Sequence, residues 1–146
     1  MARNVDAADF EPEVVVLYCQ QCVAEDADVA AAAKAVSGFK PRFEVMPCSS
    51  KVEASHVLKL IEQGADAVAV VGCPEKKCRF LVGSTMADKR IGYARRLLDE
   101  IRMGADRLGM DRAGPLAAQQ LVEIAQRRAA AVRSLGPNPM KGATGP

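Results

Sequence analysis

Tryptophan is absent from these 146 residues, and the other large aromatics amount to two Tyr and four Phe. Single-stranded nucleic acid is bound on aromatic stacking platforms, so this shortage argues against such a role. The net charge of +2 is also too small for the basic footprint of a nucleic-acid binder. No apolar run approaches the ~20 residues that span a bilayer, so direct membrane insertion is not expected. Met1 to Glu13 is polar and acidic, without the apolar core of a signal peptide. A cytoplasmic location is therefore the expectation. No G-x-G-x-x-G or Walker pattern occurs, and Gly72 stands alone, which leaves a dinucleotide cofactor unsupported. Histidine occurs once, as His56, at a helix position that can face outward, where a solvated surface role is expected.

What the chain does have is five cysteines, all placed alike. The apolar run Val14-Val15-Val16-Leu17-Tyr18 stops at Cys19-Gln20-Gln21-Cys22. Phe43 to Met46 leads through Pro47 to Cys48, and Ala67 to Val71 leads through Gly72 to Cys73, with Cys78 close behind. Short runs rich in β-branched residues read as buried strands. Every thiol then sits at or just past the carboxyl end of a strand. In a reducing compartment, such cysteines are more often metal-binding or catalytic than disulfide-bonded.

The rest of the chain alternates strand and helix. Residues 1–12 read as a flexible arm, 13–135 as one α/β domain, and 136–146 as a Pro/Gly-rich tail resembling a linker. Strands are predicted at about 13–18, 42–46 and 67–71, with a short fourth at 107–111. Helices are predicted over 24–36, 52–63, 84–103 and 115–134. Gly38, Gly64 and Gly104 stop the first three, and Pro115 opens the last. Ile91, Ala94, Leu97, Leu98 and Ile101 form the inner face of the third helix. The pattern predicts a small doubly wound, flavodoxin/Rossmann-like parallel sheet of about four strands with helices on both faces. In such sheets, sites lie beyond the carboxyl ends of the strands, near the switch point in strand order. The cysteines share that edge.

Thiolates are soft ligands that select zinc or iron–sulfur clusters, and four of them suit either on count alone. Lys51, Lys76, Lys77 and Arg79 lie beside the cysteines, where cations would stabilise an anionic cluster. A solvated loop is the plainer reading of each cation alone. Cys19-x-x-Cys22 also has the placement of a dithiol redox site, the basis for a thiol–disulfide oxidoreductase. A zinc-stapled interaction domain is a further alternative. Cys73 to Arg79 has the spacing of a C-x5-R phosphate loop. Such a loop must present backbone N–H groups, which Pro74 lacks, and Glu75 adds like charge. Tyr18 reads as a sheet residue packing beneath the site. The arginines Arg90, Arg95, Arg96, Arg127, Arg128 and Arg133 read as solvated helix faces.

From Val14 to Ser134 the sequence resembles the delta subunit of methyl-viologen-reducing hydrogenase, a small iron–sulfur subunit also found with heterodisulfide-reductase-like complexes. The resemblance rests on strand-Cys19-x-x-Cys22, on Cys48-Ser49, and on Glu62-x-Gly64-Ala65-Asp66-x-Val68 leading into Gly72-Cys73-x4-Cys78. It continues through Gly83, Ala87, Arg90 and Leu97-Leu98. It departs at Gln20-Gln21, at Arg79-Phe80 and over Arg107 to Gly114. The resemblance implies a non-catalytic electron-transfer subunit with one [2Fe-2S] cluster. The implied donor is a hydrogenase-like or formate dehydrogenase-like module. The implied acceptor is a flavin-containing, heterodisulfide-reductase-A-like subunit, in an anaerobic complex associated with electron bifurcation. Cys48, Cys73 and Cys78 are the expected ligands, joined by Cys19 or Cys22, with the other of that pair spare.

Overall fold

The two most apolar stretches of the chain pair with each other. In the computed structural model, which describes residues 10–24, 28–46, 52–72, 83–112 and 116–140, Val14 to Tyr18 runs parallel to Ala67 to Val71. They form the centre of a four-stranded sheet. Its strands are β1 (Glu13–Cys19), β2 (Lys40–Met46), β3 (Ala67–Gly72) and β4 (Leu108–Arg112). Their order is β2-β1-β3-β4, and every pairing is parallel. All six residues of β3 are buried, as a strand covered on both faces requires.

The helices are α1 (Val29–Lys34), α2 (Ala54–Glu62), α3 (Gly83–Glu100) and α4 (Ala118–Arg133). Side chains on a strand alternate between faces, and here the alternation builds two cores. On one face Val14, Val16 and Ala69 pack with Leu121, Ala125 and Val132 of α4, and Val29 beside them belongs to α1. On the other face Val15, Leu17 and Val70 pack with Ile61 of α2 and Ile91 of α3. The chain winds outward in both directions from β1, in the order typical of flavodoxin-like sheets. The predicted α/β architecture is the one observed.

The boundaries differ where tertiary contacts intervene. The first helix was expected from residue 24 but begins at Val29, capped by Asp28 Oδ1, which accepts from Ala31 N–H at 3.0 Å. Val23 is extended instead, because it bridges Leu116 in parallel. The last helix begins at Ala118 rather than at Pro115, which lies outside the described residues. Ile101 does not belong to the inner face of α3. It follows the end of the helix and is 64% exposed. Residues 1–9 of the expected arm lie outside the described residues, while Phe10 is buried.

The segment expected to leave the domain as a tail begins by packing against the amino edge of the sheet. Asp66, just before β3, accepts from Glu13 N–H at 2.7 Å and from Asn138 N–H at 2.8 Å. Asn138 Nδ2 donates to the carbonyls of Ile61 (2.6 Å) and Ala65 (2.7 Å). Arg107 donates to Met103 O, Asp66 O and Gly136 O at 2.9, 3.1 and 3.0 Å. Both Arg107 and Asn138 are 2% exposed. Buried polar groups persist only when bonded, and this set satisfies the carbonyls that end α2 and precede β4. Residues 141–146 lie outside the described residues.

Candidate functional site

β1 ends on Cys19, and a single 3-10 turn, Gln20–Cys22, follows. Both thiols are inside the protein, Cys19 at 1% exposure and Cys22 at 0%. Both join the core on the α1/α4 face. Cys19 pairs in register with Met46, the last residue of β2. Tyr18 pairs with Val71, so one further step sets Cys19 level with Gly72, the last residue of β3. The three strands therefore end together, and Cys19 stands at the switch point between β1 and β3. The chain continues from Met46 towards Cys48 and from Gly72 directly into Cys73. Cys48, Cys73, Cys78 and the cations Lys51, Lys76, Lys77 and Arg79 lie outside the described residues.

A clamp secures this edge. Leu116 N–H donates to Cys22 O at 2.7 Å, and Ala24 N–H donates to Leu116 O at 2.8 Å. In the sheet, β3 separates β1 from β4. The segments that follow β1 and β4 thus meet across the end of β3. Cys22 and Leu116 share the α1/α4 core with Val71, so the crossing lies on that face. Nothing local in the sequence marks this contact, because a single bridge between remote residues leaves no periodic signal.

The surroundings are mostly apolar. Tyr18 is half-buried against the α1/α4 core, and burial raises its phenol above its ordinary pKa. Arg112, the last residue of β4, brings a cation to the same edge, where Asp88 of α3 holds it at 3.1 Å. His56 is exposed on α2, as expected. Among the described residues no group of three or more His, Cys, Asp or Glu gathers to hold a metal. What the described residues could offer a metal is the buried Cys19/Cys22 pair. Its chemistry fits a soft metal centre, where a dry shell stabilises metal–thiolate bonds. The same burial disfavours a dithiol oxidoreductase, whose thiolate must reach an external disulfide. Several of the arginines expected on solvated faces also hold neighbouring segments, Arg133 while exposed as expected. Arg90 donates to Val52 O at 3.1 Å, Arg128 to Asp106 O at 3.1 Å and Arg133 to Gly38 O at 2.9 Å.

The family model described as methyl-viologen-reducing hydrogenase, delta subunit, matches residues 14–136, nearly the whole described fold. The chain belongs to this delta-subunit family. A relative in Methanocaldococcus jannaschii, the vhu iron-sulfur subunit of F420-non-reducing hydrogenase, is 32% identical over 132 residues, covering 90% of this chain and 98% of the relative. The corresponding iron-sulfur subunit of F420-non-reducing hydrogenase in Archaeoglobus profundus is 28% identical over 131 residues, covering 88% and 94%. In Methanosarcina mazei, the A subunit of ferredoxin:CoB-CoM heterodisulfide reductase is 29% identical over 97 residues, which cover 66% of this chain but only 12% of that protein. The matching sequence thus occurs alone and as a stretch of a longer polypeptide. No helix among the described residues is long and apolar enough to cross a membrane.

Proposed function

We propose that this protein is an electron-transfer subunit that holds one [2Fe-2S] cluster at the carboxyl edge of its sheet. The observation that carries the reading is the buried Cys19/Cys22 pair at the β1/β3 switch point, level with the strand ends that lead to Cys48 and Cys73. Cys48, Cys73 and Cys78 serve as ligands together with Cys19 or Cys22. Such a cluster supplies one-electron redox chemistry. The chain's own residues then have three tasks. The thiolates hold the metal, the apolar shell around Cys19 and Cys22 excludes water, and the Leu116 clamp fixes the backbone of Cys22. Arg112 and the basic loop residues Lys51, Lys76, Lys77 and Arg79 offset the negative charge of the thiolates.

The relatives' names support an assembly with a hydrogenase-like donor and a heterodisulfide-reductase-A-like acceptor, and we extend this to a formate dehydrogenase-like donor and a flavin-containing acceptor. In the Methanosarcina proteins the matching stretch is part of the same polypeptide as the A subunit of heterodisulfide reductase, which supports docking of this chain to such a partner. The role fits flavin-based electron bifurcation in the reducing cytoplasm of an anaerobe, where thiolates stay unoxidised.

Anaerobic purification tests the reading. The expected product is coloured, with about two iron and two sulfide per chain and an EPR signal on reduction. A colourless product with about one zinc per chain overturns it. Single Cys→Ala variants at the five positions are expected to abolish the cluster at four and retain it at Cys19 or Cys22. Retention at two or more positions refutes the ligand assignment.

A further inference from the structure

The end of α3 places acidic residues and an exposed apolar one side by side. A helix carboxyl terminus is partially negative and favours cations. α3 has no basic residue in its last turn and ends instead on Asp99-Glu100. The next residue, Ile101, exposes 64% of its surface. Arg102 then takes φ 61, a conformation that favours glycine. The turn itself is a Schellman ending, with Met103 N–H on Leu98 O and Arg102 N–H on Asp99 O, both at 3.0 Å, which satisfies the last carbonyls but leaves Ile101 in solvent. What this ending leaves unexplained is the exposure of Ile101, a large apolar side chain at the mouth of an apolar groove.

These residues border an apolar groove of about 370 Å3 between the carboxyl-terminal turns of α2 and α3. Leu58, Ile61, Leu97, Leu98 and Met103 form its floor, and Met140 closes one side. Its charged lining is Glu62 and Glu100, the final residues of α2 and α3, each at the negative end of a helix dipole. Lys59, in the last turn of α2, offsets this in part but does not line the groove.

We propose that this groove docks an amphipathic segment of another subunit, with large apolar side chains flanked by Lys or Arg. The apolar floor takes the anchors, Ile101 packs over them, and the carboxylates at the rim meet the cations. The occupant is cationic because the charges that line the groove, Glu62 and Glu100, and the two helix termini are negative, while Arg102 beside them does not line it. α2 and α3 run antiparallel to the strands, so the groove lies at the amino edge of the sheet, away from the cysteines. A partner seated there leaves the cysteine edge open to electron donors and acceptors. The inference needs only that the chain works beside other subunits and is independent of the metal reading.

The test places a photo-crosslinking amino acid at Ile101 in the full chain within its native assembly. A control carries it at Gln126, which is exposed on α4 across the sheet. Cross-linked peptides are identified by mass spectrometry. The expected result is a cross-link from position 101 to one peptide of a different subunit, with apolar residues next to Lys or Arg. The double variant Glu62→Lys/Glu100→Lys is expected to lower retention in the assembly about tenfold at low salt without lowering the unfolding temperature. The proposal is overturned by a cross-link to a second copy of this chain, to its own residues or to a peptide without basic flanks. No cross-link above the Gln126 control, or full retention of the double variant, overturns it equally. Iron is measured in the same samples. A colourless product that keeps the cross-link refutes the metal reading alone, and a coloured one without it refutes only the docking site.

Discussion

Arg102 shows how much a single dihedral angle decides. Met103 N–H reaches back to Leu98 O at 3.0 Å, the long hydrogen bond of a Schellman ending, and that ending places Arg102 at φ 61. A side chain there is strained by on the order of 1–3 kcal/mol. Glycine removes the strain but loses more entropy on folding. Arg102→Gly is therefore expected to raise stability by about 1 kcal/mol in denaturant titration. A lower stability would show that the Arg102 side chain makes a contact worth more than its strain. Gly109 is the opposite case. A Cβ at this β4 position would lie 2.0 Å from Nη2 of Arg128, whose guanidinium crosses the strand to reach Asp106 O. Gly109→Ala is expected to cost about 1–2 kcal/mol, since Arg128 must shift or lose that bond.

Two connections hold the helices and strands in place, one at each edge of the sheet. At the amino edge, Asn138 bonds Ile61 O, Ala65 O and Met140 N–H, tying the chain after α4 to the end of α2. Asn138→Ala leaves two carbonyls without that donor. It is expected to lose about 2–4 kcal/mol in chemical denaturation. A loss near zero would show that water replaces the amide freely. At the carboxyl edge, Leu116 N–H and Cys22 O form half of the clamp across β3. Leu116→Pro removes that donor. The expected outcome is a folded domain by circular dichroism that retains less iron than the native protein. An unchanged iron content would mean that Cys22 needs no backbone support.

The whole molecule differs from a metal-stapled module in the size of its core. Each face of the sheet carries its own buried cluster, built from Val14, Val16 and Leu121 on one side and Val15, Leu17 and Ile91 on the other. Burying each such side chain contributes about 1.5–3 kcal/mol against the entropy of ordering the chain. Two cores of this size lead to the expectation that the sheet folds without metal. On the proposed [2Fe-2S] reading, anaerobic chelation of the cluster's iron is expected to bleach the protein while leaving its far-ultraviolet circular dichroism largely intact. Collapse of that signal would make the metal a folding element, as in zinc fingers.

The sequence by itself determined the alternation of strand and helix, the parallel sheet and the sheet edge at which Cys19 and Cys22 stand. Those features are written in short-range patterns: apolar runs such as Ala67 to Val71, the spacing of Leu121, Ile124 and Ala125 on α4, and cysteines placed at strand ends. The tertiary structure decided the rest. It put Cys19 and Cys22 in a dry interior and drew Val23 out of a helix to meet Leu116. It also left Ile101 outside the core, because α3 stops at Glu100. Asn138 and Arg107, read from their neighbours in sequence as part of a tail and the start of a short strand, became buried hydrogen-bonding centres at the amino edge. The physical reason is common to all of these. A residue's exposure and hydrogen-bond partners depend on what packs against it from far along the chain, and local periodicity carries no record of that.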